Sequence, residues 1–325
     1  GDIRGANLEF EAPYFPSLGQ LNLLVRVDGI TSAEDISVGT TEISGTLNTS
    51  TLVFSDVKFS GKKINVVGDF TLNSTAFNGS LGEFDALQLN SKNFTSVEVD
   101  LNNLNVGTGK DKYSSKSMNL SFNFNDGVKE IILAAKAIDD MSGKTVASDL
   151  SASIMLDSYS PSSWRQINLF FEKLKLPDSS YYSPETYIAK STSVLSKSSH
   201  NTTNLKSSGK FMDFEIISQD QFIADLSESS FEISSKISKQ SDNRVKVHSD
   251  GTIRTDTSPL VYIKGAVVFD MDERSFFQCV DKNCALLNVE TSYEIIVGDA
   301  ILTGKSYCKN QNCRDGIFSH SIKTE

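Results

Sequence analysis

Apolar and polar residues alternate along most of this chain. Met118-Asn119-Leu120-Ser121-Phe122-Asn123-Phe124 alternates throughout, and Val97-Glu98-Val99-Asp100-Leu101 does the same. A period of two puts one strand face in an apolar environment and the other in water. Similar runs occur at Leu21 to Val27, Glu42 to Leu47, Thr51 to Phe59, Lys63 to Leu72 and Phe84 to Leu89. Asp28-Gly29, Ser60-Gly61, Asn78-Gly79 and Asn125-Asp126-Gly127 punctuate them and read as turns, because Gly and Asn tolerate positive φ. Val106-Gly107-Thr108-Gly109-Lys110 reads as a hairpin turn. The strands are not continuously apolar, which excludes a parallel sheet buried on both faces. The fold predicted is mainly β: an antiparallel meander forming an extended or curled sheet, or a sandwich.

One or two short helices are expected near the middle. Ser160-Pro161 offers an N-cap and a Pro at the first helical position, and Trp164, Ile167, Phe170, Phe171 and Leu174 follow at helical spacing up to Pro177. A weaker candidate begins at Ser183-Pro184 and carries Tyr187, Ile188, Val194 and Leu195, with Ser191 interrupting the pattern. Residues 196 to 209 are rich in Ser, Asn and Lys and read as a loop or linker. Strands resume at Phe211 to Ile217, Gln221 to Leu226, Phe231 to Ile237, Arg244 to His248 and Val261 to Phe269. Leu287 to Leu302 reads as two strands around Gly298-Asp299. The division expected is an antiparallel β region over 1–160, a helical and Ser/Asn-rich connection over 161–209, and a second β region over 210–325 with two Cys-clipped hairpins.

Composition narrows the classes. The 325 residues are 38% hydrophobic and 22% charged, with a net charge of -10. That is too apolar for disorder. The acidic balance argues against a nucleic-acid partner and against simple docking to anionic lipid heads. No apolar run reaches the length of a membrane-spanning helix. Gly1-Asp2-Ile3-Arg4-Gly5 is neither an initiator Met nor a signal peptide, so the chain reads as a mature product or an excised fragment. Membrane association would then come through an anchor missing from it. Six Asn-x-Ser/Thr triplets begin at Asn48, Asn73, Asn78, Asn93, Asn119 and Asn201. Chance in so Asn-, Ser- and Thr-rich a chain supplies about four or five, so they carry no signal.

The four cysteines form two matched hexapeptides, Cys279 to Cys284 and Cys308 to Cys313, offset by 29 residues. A zinc site needs four converging thiolates, and this spacing lies at the loose edge of zinc ribbons. Two local disulfides need only that each four-residue turn bring its ends within about 5.5 Å. Each bridge would then staple the open end of a hairpin. Local disulfides are the favoured reading and imply an oxidising compartment, periplasm or cell envelope, with a secreted protein as the alternative. Zinc, free thiols and cross-pairing between the hexapeptides remain open.

Catalytic chemistry is sparse. His200, His248 and His320 are far apart and read as surface residues. No nucleophile elbow, HExxH or phosphate loop occurs. Asp139-Asp140 and Asp270-Met271-Asp272-Glu273 have the look of calcium turns but lack EF-hand spacing, so solvated turns are favoured. Glu98 and Asp100 share a polar strand face, as glycosidase carboxylates do, but any polar strand face produces such pairs. A single Trp makes a sugar-stacking site less favoured. No catalytic, cofactor or metal residue is therefore assigned, and the chain reads as a non-enzyme. Phenylalanines recur through the strands, and Phe77 and Phe94 are among them. They fill either a closed core or the apolar side of a groove. The groove candidates are Phe54, Phe59, Phe70, Phe84, Phe122 and Phe124.

The stretch from Leu52 to Leu72, with Phe54, Phe59-Ser60-Gly61 and Gly68-Asp69-Phe70, resembles the strand grammar of AsmA-like and TamB-like bacterial envelope proteins. The likeness covers the style of residues 20–140. It implies a long β-sheet curled into an apolar groove, with a role in phospholipid passage or outer-membrane maintenance and no catalytic residue. The paired cysteine loops and the central helix depart from that pattern. The expectation is a non-catalytic envelope protein whose sheet binds lipid or an envelope partner complex. The alternative is an adhesion or assembly module acting through exposed strand edges.

Overall fold

The computed structural model describes the chain except for residues 1–2, 6–7, 33–35, 69–70, 86–95, 109–110, 124–128, 159–162, 177–181, 200, 219–220, 241–243, 256–260, 273–285, 310–311 and 325. The chain divides into two compact units, Gly1–Trp164 and Arg165–Glu325. Both are antiparallel β-sheet. The first carries β1 (Ile3–Gly5), β2 (Leu8–Glu11), β3 (Tyr14–Phe15), β4 (Gln20–Ser32), β5 (Ile36–Asn48), β6 (Val53–Val67), β7 (Thr71–Leu81), β8 (Phe84–Asp85), β9 (Ser96–Thr108), β10 (Asp111–Asn123), β11 (Lys129–Asp140) and β12 (Thr145–Leu156). The second carries β13 (Trp164–Lys175), β14 (Tyr187–Ser199), β15 (Thr202–Met212), β16 (Glu215–Ser218), β17 (Gln221–Asp225), β18 (Ser230–Lys239), β19 (Arg244–Arg254), β20 (Val261–Asp272), β21 (Leu286–Val297), β22 (Ala300–Lys309) and β23 (Asn312–Thr324).

The first unit is an up-and-down meander. Long strands pair in the order β4, β5, β6, β7, β9, β10, β11, β12. Short β1, β2 and β3 lie end to end along the outer side of β4, broken by Pro13. In the second unit β13, β14, β15, β18, β19, β20, β21, β22 and β23 follow one another, and the β16–β17 hairpin stands outside the ladder. The hairpins expected after Val106 and around Gly298-Asp299 are present: Thr108 pairs with Asp111, and Val297 with Ala300.

The predicted helices are absent. Among the described residues the helical backbone is confined to a single 3-10 turn, Pro16–Leu18, and to the 3-10 residue Ser163. The stretch read as the first helix is β13. Its Ile167, Leu169 and Phe171 face Leu195, Ser193 and Ser191 of β14 as strand neighbours. The ladder then skips the level of Glu172 and Lys190, the latter with φ of 49°, and resumes in the same register with Lys173 opposite Ala189 and Leu174 opposite Ile188. Glu172 and Lys173 are both exposed between the less exposed Phe171 and Leu174, so the apolar side recurs there after three residues rather than two. That spacing imitates a helical period. The second helix candidate is β14, with Ser191 at the same irregularity, and residues 196–199 belong to β14 and 202–209 to β15. Pro161 and Pro177 lie outside the described residues.

Three predicted turns are also strand interiors. Asp28-Gly29 lies in β4, Ser60-Gly61 in β6 and Asn78-Gly79 in β7, so the runs split at Ser60-Gly61 are one strand. Gly61 and Gly79 serve aromatic packing. Phe59 of β6 pairs with Gly79 of β7, and Gly61 of β6 pairs with Phe77 of β7. A Cβ on Gly61 would lie 2.3 Å from the Phe77 ring, and one on Gly79 would lie 2.4 Å from the Phe59 ring. Each ring therefore occupies the space that a side chain on its cross-strand partner would need.

The chain exposes 20642 Å². A compact monomer of 35.6 kDa exposes about 13,000 Å², and two separate globules of half that mass about 16,000 Å². The excess fits described strands that pack closely only against their ladder neighbours.

Candidate functional site

The apolar face of the first unit is built by the period-two pattern and by a transverse crease. One row of paired positions crosses the long strands: Val25, Ile43, Phe59, Gly79, Val99, Leu120, Leu133 and Ala152. Below it, each ladder is interrupted at one level. Thr41 pairs with Gly61 and Val38 with Ile64, Ala76 with Asn102 and Asn73 with Asn105, Asn102 with Ser117 and Leu104 with Ser115. Residues at this level take left-handed backbone on alternate strands: Gly29 on β4, Lys63 on β6, Asn103 on β9. The strands between them carry buried hydroxyls, Thr41 on β5, Ser74 on β7 and Ser115 on β10. The Ser74 hydroxyl lies 2.8 Å from the carbonyls of both Ala76 and Asn102, and Ser115 lies 2.9 and 2.7 Å from those of Ser117 and Ala137. These hydroxyls serve carbonyls that the interrupted ladder leaves without amide partners.

The crease keeps both halves of each strand apolar on the same side. Leu101 and Leu104, three apart, are both buried and join Phe77 in one cluster with Val38, Phe59, Ile64, Leu72, Val99, Val106, Met118 and Leu120. Phe54 stacks on Phe84 with ring centroids 5.1 Å apart, and Phe59 meets Phe77 at 6.3 Å. Phe122 stands between Val97 and Ile131 on neighbouring strands. The structure thus places Phe54, Phe59, Phe84 and Phe122 in the strands that form this face. Phe70 and Phe124 lie outside the described residues. Sequence reasoning left Phe77 out of the groove and missed Leu101 and Leu104. The paired Phe-x-Gly of Phe59-Ser60-Gly61 and Phe77-Asn78-Gly79 was the available signal.

The opposite face is polar and internally matched. Asp100 accepts hydrogen bonds from the Asn78 and Asn119 amides at 3.0 and 2.9 Å, so it is a cross-strand tie rather than half of a carboxylate pair. Arg26 meets Glu42 at 2.9 Å, and that hydrogen bond and charge raise the guanidinium above its ordinary pKa. Asp140 accepts from the Ser142 and Lys144 backbone amides at 2.8 and 3.0 Å, which is how an Asp caps a tight turn. Among the described residues no three His, Cys, Asp or Glu converge as metal ligands. Asp270 and Asp272 lie in β20, and Glu273 lies outside the described residues.

The second unit shows a different face. Its central rows run Ser193, Ser207, Ile233, Gly251, Gly265, Tyr293, Gly304 and Leu195, Leu205, Ser235, Ser249, Val267, Thr291, Ser306. Hydroxyls pair across strands, Ser193 with Ser207 at 2.8 Å and Ser235 with Ser249 at 2.7 Å. Thr291 and Ser306 pair likewise. His248 is exposed and touches Asp250 at 3.1 Å. His320 lies in β23, and His200 is outside the described residues.

Cys279 and Cys284 fall outside the described residues, as do their pairing and environment. Cys308 lies in β22 and Cys313 in β23, and Lys309 pairs with Asn312 between them. The register therefore sets these two positions at the turn end of their hairpin, not at its open end. No protein family, no curated protein and no solved structure matches this chain.

Proposed function

We propose that this is a non-catalytic cell-envelope protein whose β-sheet binds lipid, or an envelope partner complex, through its apolar face. The observation that carries the reading is the continuous apolar row of the first unit, with no described element stacked on it. Seven strand spacings of about 4.8 Å give it a span of about 34 Å. An acyl chain in one bilayer leaflet occupies about 15 Å, half the hydrocarbon thickness. A lipid tail laid across the strands would bury apolar surface along its whole length, at about 25 cal/mol per Å².

Native mass spectrometry of the purified protein tests this. Co-purifying phospholipid is expected, and a lipid-free spectrum from protein purified without detergent would sink the reading. The same spectra, with and without reductant, test the oxidising compartment. Two disulfides predict a gain of about 4 Da on reduction, two per bridge, with no bound zinc.

The adhesion or assembly reading draws on a different observation. Phe10, Tyr14, Phe15 and Leu18 are all exposed, close together along the broken outer edge of β4. Exposed apolar clusters beside a strand edge suit a protein partner. Substituting these four with Ser would abolish partner binding on this reading and leave lipid content unchanged.

A further inference from the structure

The polar sides of the two units treat their charges differently. In the first unit charges are tied within the sheet, Arg26 to Glu42 and Asp100 to Asn78 and Asn119. In the second, Thr192, Ser208, Glu232, Thr252 and Lys264 form one polar row across β14, β15, β18, β19 and β20. Lys206, Ser234 and Asp250 lie in the next row on the same side, and Lys236 and His248 in the one beyond. Among the described residues the side chains of Lys206, Lys236, Lys264 and Glu232 have no salt bridge or hydrogen bond within the protein, and Asp250 meets His248 at 3.1 Å. All six charged or titratable groups are exposed.

This surface is hollowed. Two adjoining hollows of about 510 and 360 Å³ share Val194, Lys206, Ser234 and Asp250. Glu232 and Lys264 line the first, and Lys236 and His248 the second.

The spacing of the charges selects the class of ligand. Lys206 and Lys264 are three strand spacings apart, about 14 Å. Side chains stand roughly perpendicular to a sheet, so the two ammonium groups stay apart. One small anion does not bridge them, whereas a chain carrying several acid groups does. Glu232 and Asp250 set a second requirement. They repel a ligand made of acid groups alone, but accept hydrogen bonds from hydroxyls placed beside those groups. The third is the absence of Phe, Tyr and Trp among the described lining residues, which leaves a nucleic-acid base no ring to stack on. Acid groups and hydroxyls alternate along an acidic glycan.

We propose that the hollowed polar side of β14–β20 binds a linear acidic glycan, with Lys206, Lys236 and Lys264 receiving its acid groups and Glu232 and Asp250 accepting from its hydroxyls. The site does not rest on the lipid reading, which concerns the apolar face of the first unit, and the two fail separately.

Isothermal titration calorimetry of the full chain with an oligomer of galacturonic acid tests the site. Binding is expected, weakening as salt rises. A neutral glucose oligomer should not bind, and a single-stranded DNA oligonucleotide should bind at least about tenfold more weakly for want of stacking. Lys206→Ala and Lys264→Ala should each weaken the acidic oligomer about fivefold, the upper value for an exposed ion pair. Lys58→Ala, on the polar side of the first unit, should leave it unchanged. Glu232→Ala should weaken it about threefold although it removes a negative charge, because a hydrogen-bond acceptor is lost. No binding of the acidic oligomer, equal affinity for the DNA, an equal loss in Lys58→Ala, or tighter binding in Glu232→Ala overturns the proposal.

Discussion

The two units use the same strand grammar to make unlike faces. Bulky residues meet glycines pairwise in both, as Phe59 meets Gly79 and Tyr293 meets Gly304. In the first, a crease of left-handed residues and buried hydroxyls brings Leu101 and Leu104 to one side. In the second, Ser, Thr and Gly are interspersed with apolar residues at the centre of the face, and hydroxyls pair with each other. The same residue type thus carries different constraints. Gly79 is required, because a Cβ there would lie 2.1 Å from the Glu98 carbonyl oxygen as well as against Phe59. Gly265 is not, because the nearest atom to a Cβ there is 3.7 Å away and its φ is not left-handed. Gly79 is a packing partner, as Gly304 is beside the Tyr293 ring, whereas Gly265 is simply an absence of side chain.

The largest expected effect breaks that contrast directly. Gly79→Ala should destabilise the first unit by about 3 kcal/mol, the upper range for overpacking, since a backbone carbonyl blocks relief. Gly265→Ala should instead raise stability by about 0.5 kcal/mol by restricting the unfolded chain. Denaturant midpoints of the two variants check both signs, and equal effects would dissolve the comparison.

A smaller difference separates the buried serines. Ser74→Ala removes a buried hydroxyl that meets two carbonyls at the crease and should cost about 2 kcal/mol. Ser235→Ala removes half of a hydroxyl pair whose partner, Ser249, lies on the incompletely covered face, and should cost about 1 kcal/mol. Unfolding curves resolve the two.

The smallest effect concerns pH. Hydrogen bonds from the Ser227 side chain and backbone hold the Asp225 carboxyl below the usual carboxylate range. A depressed folded pKa contributes stability that is present above the unfolded value and is lost as pH falls through the folded one. The turn after β17 should therefore loosen only below the ordinary carboxylate range. Amide exchange at Ser227 should rise there, relative to the strands of the first unit, once the intrinsic pH dependence of exchange is removed.

Much of the architecture was legible in the alternation. The expected runs of the first unit lie within or across the observed strands, and the antiparallel meander follows from short polar connections. What misled was spacing read without a partner. Phe171 and Leu174 are three apart because the alternation of β13 breaks at Glu172 and Lys173, beside the left-handed Lys190 of β14, and a lone chain offers no means of telling that from a helical turn. The crease left a fainter trace. Leu101-Asn102-Asn103-Leu104 breaks the alternation by one residue, as do Gly61-Lys62-Lys63-Ile64, and both breaks hold a left-handed residue. Of the groove phenylalanines, Phe54, Phe59, Phe84 and Phe122 were legible as apolar strand positions. Phe77 was passed over because Asn78-Gly79 beside it has the chemistry of a turn.

By itself, then, the amino-acid order determined the β class, the antiparallel connections and the side on which each run is apolar, because side-chain direction alternates with every residue whatever the strand meets. Tertiary structure decided which glycines end a strand and which lie beneath an aromatic ring. It decided that breaks in alternation align into one crease, and that the apolar side has no described layer against it. These are properties of paired positions, and a pair exists only when two distant stretches lie side by side in register.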